Sequence, residues 1–155
     1  MNNEFHTVRG YQLIRQNKML LTSAMEDYLE MIFRTTEGGG YLRINELAEK
    51  LNVKAPSATK MVQKMGQLGL IKYKKYGIIE LSELGIELGS YLLHRHRIIE
   101  QFLRTIGIRE NLLIETELIE HNISSNTLEH LEILNMFILS NPDVQEKFEI
   151  FLAQN

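Results

Sequence analysis

The stretch INELAEKLNVKAPSATKMVQKMGQLGLIKYKKYGIIEL, from Ile44 to Leu81, decides the fold. Ile44, Leu47, Ala48 and Leu51 recur at helical spacing and predict a short helix beginning near Asn45. Leu51-Asn52-Val53 makes a tight turn, and Pro56 fits the first turn of a second helix, because proline's missing N–H costs nothing there. That helix carries Met61, Val62 and Met65 inward and stops near Gly66–Gly69. The period then changes from helical to alternating. Leu70–Lys74 and Ile78–Leu81 predict two short strands around Tyr76-Gly77, a β-hairpin.

Outward from this stretch the chain reads as helix. Thr22 or Ser23 caps a helix to about Thr35, with Met25, Leu29, Ile32 and Phe33 inward, and Gly38-Gly39-Gly40 ends it. Ser82 caps a long helix reaching about Ile106, closed by Gly107. Three more helices follow: Glu110–Ile123, Asn126–Leu139, and one from Pro142 with Asn141 as cap. The expected class is mainly α, with one short β-hairpin.

The 155 residues suit one domain, or two small ones sharing a core. The absence of cysteine excludes disulfides, thiolate nucleophiles and thiolate metal sites. The N-terminus lacks a signal-peptide core, and no apolar run approaches the roughly 20 residues of a membrane span. A soluble cytoplasmic protein is expected, with no membrane partner.

The net charge of −3 conceals a segregation along the chain. Lys50 to Ile79 contains no acid and seven lysines, whereas Glu110 to Asn155 holds nine acids and one lysine. A lysine-rich run is by itself also the composition of a solvated face. The order helix, three-residue turn, basic helix, lysine-bearing hairpin is that of a winged helix-turn-helix, whose second helix enters the major groove. The expected DNA-facing side chains are Ser57, Ala58, Lys60, Gln63 and Lys64, opposite Met61, Val62 and Met65. Lys60 and Lys64, one turn apart, would neutralise phosphates, and the Gln63 amide can pair with adenine. Lys74 and Lys75 on the wing would reach the flanking backbone.

A second constellation carries metal chemistry. Asp27 and Glu30, three apart, share a helix face, as do Glu117, Glu120 and His121 at i, i+3 and i+4. His96 lies in the long helix among Leu92, Leu93, Ile99 and Leu103 and points partly inward. Four carboxylates and two imidazoles form a donor set for a hard or borderline divalent ion. Singly, each piece also describes a polar helix face or a hydrogen-bonded core histidine.

Five ordered segments give these pieces a common meaning: MEDYLE (25–30), SATKMVQK (57–64), HRH (94–96), EQFLR (100–104) and ELIEH (117–121). Together they resemble the diphtheria toxin repressor family, most closely its manganese-sensing branch, over roughly Leu21 to Asn155. The resemblance implies a homodimeric, metal-activated repressor and not an enzyme. It would have an N-terminal extension (1–20), a winged helix-turn-helix DNA-binding domain (21–82) and an all-helical metal-binding and dimerisation domain (83–155). The family's ligand positions carry over onto Asp27, Glu30, His96, Glu117, Glu120 and His121. In the iron-responsive branch the positions of Asp27 and Glu117 are typically Met and Cys. Oxygen donors there favour Mn²⁺, the weakest binder of the divalent series, with Fe²⁺, Co²⁺ or Zn²⁺ as alternatives. Four carboxylate charges balance two divalent ions per subunit, with Glu117 and Glu120 as bridges.

Three departures mark this chain. Residues 1–20 extend beyond the branch's usual start, Asn122 replaces a frequent second histidine, and the chain ends too soon for the β-barrel of longer members. The implied action is repression of manganese-uptake genes on a pseudo-palindromic operator, with double-stranded DNA and a second copy as partners and no organic substrate. Two rival readings share parts of the pattern: a helical di-metal enzyme, and a winged-helix regulator sensing a non-metal ligand. The first lacks a second Glu-x-x-His pair and leaves the basic wing unexplained.

Overall fold

The computed structural model describes residues 21–37 and 40–155. Their elements, in order, are α1 (Ser23–Thr36), β1 (Leu42–Arg43), α2 (Ile44–Lys50), α3 (Ala55–Gln67), β2 (Ile71–Lys74), β3 (Ile78–Leu81), α4 (Glu83–Thr105), α5 (Leu112–Glu120), α6 (Ser125–Ser140) and α7 (Pro142–Ala153). The chain divides into two compact units inside α4, between Leu93 and His94. No helix among the described residues is long and apolar enough to cross a membrane. The expectations placed on residues 1–20, Gly38 and Gly39 lie outside the described residues.

In the first unit α1 starts where its cap predicts: Thr22 Oγ1 accepts the Met25 N–H at 3.3 Å. Met25, Leu29 and Ile32 are fully buried, whereas Phe33, expected inward, is half-buried. α2 opens one residue earlier than expected, because the Glu46 carboxylate turns back to accept the Arg43 N–H at 2.9 Å. The hairpin forms with Ile71 opposite Leu81 and Lys74 opposite Ile78. Its tip is a short 3₁₀ turn, Lys75–Gly77, in which both Tyr76 and Gly77 have positive φ. The expected two-stranded sheet has a third member: Leu42 and Arg43 pair with Ile79 and Ile78, giving the order β1-β3-β2. Two residues carry too little period to announce a strand; the partner, not the local sequence, creates it.

Ser82 fastens the start of α4 to the hairpin's root. Its hydroxyl donates to the Gly69 carbonyl at 2.6 Å and accepts the Gly85 N–H at 3.0 Å. Gly85 is dictated by space: a Cβ there would stand 2.1 Å from the Leu70 carbonyl oxygen.

The second unit is helical throughout. Gly107, at φ +94°, turns the chain out of α4. α5 is shorter than the expected Glu110–Ile123, starting after Asn111 in the left-handed region (φ 53°) and stopping at Glu120. α6 is capped by Ser124, which accepts the Thr127 N–H at 3.2 Å. Asn141 precedes α7 but does not cap it through its side chain, which donates instead to the Phe137 carbonyl at 2.7 Å. Buried Asn135 ties α6 to α4 by donating to the Ile98 carbonyl at 2.9 Å. Ile133, Met136, Phe137 and Leu139 of α6, Ile150 and Phe151 of α7, and Leu113, Ile114 and Leu118 of α5 remain exposed in the single chain.

Candidate nucleic-acid interface and metal centre

α3 follows α2 through a turn in which Asn52 takes φ 52°, a conformation asparagine tolerates better than most residues. Pro56 sits in the helix's first turn, and Thr59 Oγ1 donates to the Ala55 carbonyl at 2.9 Å. Ala58, Val62 and Met65, at i, i+4 and i+7, form the fully buried face. The expectation that Ala58 faces DNA is therefore overturned, and Met61 is half-buried rather than core. The other face is exposed and carries Ser57, Lys60, Gln63 and Lys64. On the wing Lys72, Lys74 and Lys75 are exposed, and the Lys74 ammonium pairs with the Glu80 carboxylate across the strands at 2.6 Å. Tyr76, at the tip, is 91% exposed, a feature that sequence reasoning used only as a turn marker.

Of the expected metal ligands, Asp27 and Glu30 stand on α1, Asp27 half-buried and Glu30 buried. Glu30 is ion-paired with Arg34, one turn on. Tyr28 beside them is buried, and loss of water raises its phenol pKa above the ordinary value, so the ring stays neutral.

The second unit holds the other four. His96 on α4 is buried, and its Nδ1 lies 2.9 Å from Oε2 of Glu120 on α5. Glu120 is only 2% exposed, and its second oxygen, Oε1, is 3.8 Å from Nε2 of His121. His121 is not on α5 as expected but is its C-cap residue, since the helix ends at Glu120. Glu117, one turn before Glu120, is exposed. The fold thus brings His96, Glu120 and His121 together and leaves Glu117 at the surface.

Two neighbours were not singled out from the sequence. Arg95, 4% exposed, brings a guanidinium nitrogen within 3.5 Å of His121 Nδ1. Glu100 lies 3.7 Å from His96 Nε2 and is itself held by Arg104 at 2.6 Å. Glu100 was signalled by its place four residues after His96; Arg95 was hidden, because a charged residue between two histidines reads as solvent-facing. A buried carboxylate flanked by two imidazoles suits a divalent cation: imidazole nitrogen and carboxylate oxygen are donors that a borderline metal accepts.

The comparisons with known proteins agree with both halves of this description. Residues 20–79 match the family profile described as the iron dependent repressor N-terminal DNA binding domain. Residues 82–149 match the iron dependent repressor metal binding and dimerisation domain. The chain is 38% identical over 135 residues to the HTH-type transcriptional regulator MntR of Lysinibacillus sphaericus (strain C3-41), covering 86% of this chain and 97% of that protein. Among solved structures it is similar to the metal-dependent transcriptional regulator MtsR (TM-score 0.66, 31% identity, 73% of this chain and 54% of that one). It is also similar to the manganese regulator SloR (TM-score 0.63, 31% identity, 71% of this chain and 52% of that one). The chain spans about half the length of these two structures. A basic helix-turn-helix with its wing, a buried carboxylate–histidine cluster and two family profiles over most of the sequence lead to one conclusion: the chain belongs to the iron-dependent repressor family, whose members are metal-dependent transcriptional repressors.

Proposed function

We propose that the effector is Mn²⁺ and that the ligand set is Asp27, Glu30, His96, Glu117, Glu120 and His121, serving two ions per subunit. The observation that carries this reading is Glu120. A carboxylate 2% exposed is costly to bury unless a positive charge or several donors meet it, and here two imidazoles flank it. Oxygen donors outnumber nitrogen donors four to two and sulfur is absent from the set, the balance that suits manganese. The similarity to MntR and to the manganese regulator SloR supports the same ion. Bound metal supplies fixed positive charge that neutralises the carboxylates. Glu117 is exposed, one turn before Glu120, and would complete the ligand set.

Two of the six ligands are on α1, in the unit that carries α3 and the wing; four belong to the helical unit. Metal occupancy would then be a term in the free energy of presenting α3 to DNA. Ser57, Lys60, Gln63, Lys64, Lys74 and Lys75 are the proposed DNA contacts, with Gln63 reading a base and the lysines gripping phosphate. Lys74 would exchange its Glu80 partner for phosphate. The active species is a C₂ homodimer on a pseudo-palindromic operator, which represses manganese-uptake genes. The exposed apolar side chains of α5, α6 and α7 supply a surface that a second copy would cover.

The test is a selection from randomised DNA duplexes, performed separately with Mn²⁺, Fe²⁺, Co²⁺ and Zn²⁺ at buffered free concentrations. Enrichment of one inverted repeat with Mn²⁺ is expected. Equal enrichment in the presence of a strong chelator would refute a metal effector.

A further inference from the structure

Tyr76 is the residue of the wing that packing does not explain. The hairpin tip carries two consecutive left-handed residues, Tyr76 at φ 65° and Gly77 at φ 71°. Such tips favour Asn-Gly or Gly-Gly, because a Cβ crowds the backbone in that region. A tyrosine in the first of the two positions is strained, and its ring, 91% exposed, gains almost no burial in return. The charge around the tip points to a polyanion. Lys74 and Lys75 directly precede the ring, and both are exposed. The strand register extends this basic surface: Arg43 of β1 and Lys74 of β2 both stand opposite Ile78 of β3, so the three share one face of the sheet. Arg43 is exposed as well.

We propose that Tyr76 is a specificity-determining residue: its ring enters the minor groove bordering the bases that α3 reads and selects an A·T pair there. The inference rests on the DNA reading of α3 and the wing given above, and gives the wing a base to read where that reading gave it only phosphate. Lys74, Lys75 and Arg43 hold the backbones on either side of the groove. The minor-groove edge of an A·T pair offers acceptors alone, adenine N3 and thymine O2, to which the phenol O–H donates. In a G·C pair the guanine 2-amino group projects from the groove floor and bars the ring from those acceptors. The cationic side chains thus supply attraction that is blind to sequence, and the ring supplies the discrimination.

The test uses the duplex that the wild-type protein enriches with Mn²⁺. The pairs bordering each half-site are set in turn to A·T, G·C and inosine·C, the last presenting the major-groove pattern of G·C without the 2-amino group. Fluorescence anisotropy should show the wild type binding A·T and inosine·C alike, and G·C at one bordering position about ten-fold more weakly. Tyr76→Ala should bind all three alike, at the level of the wild type on G·C, with Mn²⁺ affinity and melting temperature unchanged. Tyr76→Gly, which relieves the backbone, should behave the same way and keeps the test decisive should the alanine variant not fold. A folded variant that retains the wild-type preference overturns the inference, as does inosine·C behaving like G·C in the wild type; both results leave the lysine contacts standing. A wild-type protein that enriches no duplex overturns the DNA reading as well.

Discussion

Replacing Glu120 by Gln probes the metal centre with the least disturbance to its shape. The amide is nearly isosteric, and its carbonyl can still accept the hydrogen bond that His96 Nδ1 makes at 2.9 Å. What disappears is one negative charge from a position 2% exposed. Two unit charges about 4 Å apart interact by about 4 kcal/mol at an effective dielectric of about 20. A dication bound directly by the carboxylate loses more than that, and the water that replaces the lost ligand returns part of it. A net loss of about 4 kcal/mol corresponds to roughly 10³-fold weaker Mn²⁺ binding. Without metal, the same substitution removes a buried charge while keeping its hydrogen bond, so metal-free stability should move by no more than about 1 kcal/mol. Mn²⁺ titration and metal-free thermal melting of Glu120→Gln beside wild type check both halves. A folded variant with wild-type Mn²⁺ affinity would refute the reasoning, because the most buried of the proposed carboxylates would then contribute nothing.

Three further outcomes follow from the described surfaces and packing. Lys60→Ala with Lys64→Ala should weaken DNA binding uniformly across sequences and lower the salt dependence by about one phosphate contact per lysine, with Mn²⁺ binding unchanged; fluorescence anisotropy over a salt series measures it. Gln63→Ala should relax preference at one base pair per half-site, at a cost of about 1–3 kcal/mol on the preferred base, as read by binding to single-position operator variants. Gly85→Ala places a methyl 2.1 Å from the Leu70 carbonyl oxygen, where backbone must shift; a loss of about 1–3 kcal/mol is expected in chemical unfolding, and wild-type stability would show that the helix start relaxes freely.

The sequence announces what is local and repeated. The Thr22 cap, Pro56 in the first turn of α3, the Tyr76-Gly77 tip and the Ser82 cap each act within a few residues, and each lies where its chemistry places it. Strand β1 is illegible because it exists only through its pairing with β3. Ala58 was legible in phase, one turn before Val62, but alanine's small size made it look indifferent to burial. The late start of α5 depends on a left-handed Asn111 and its early end on a C-cap at His121, neither marked by glycine or proline. At the metal centre, ligand types and spacings could be read in advance. The depth of Glu120 and the exposure of Glu117 could not, since burial on a short helix depends on which face its neighbours cover.

The most direct measurement of the central claim is the dissociation constant of the wild-type protein for its selected operator duplex, with Mn²⁺ and with chelator, at one ionic strength. Coupling between metal and DNA predicts at least about five-fold tighter binding with Mn²⁺, the lower end of the roughly 1–3 kcal/mol typical of linked sites. Equal constants in the two conditions, for protein shown to hold the metal, would contradict it.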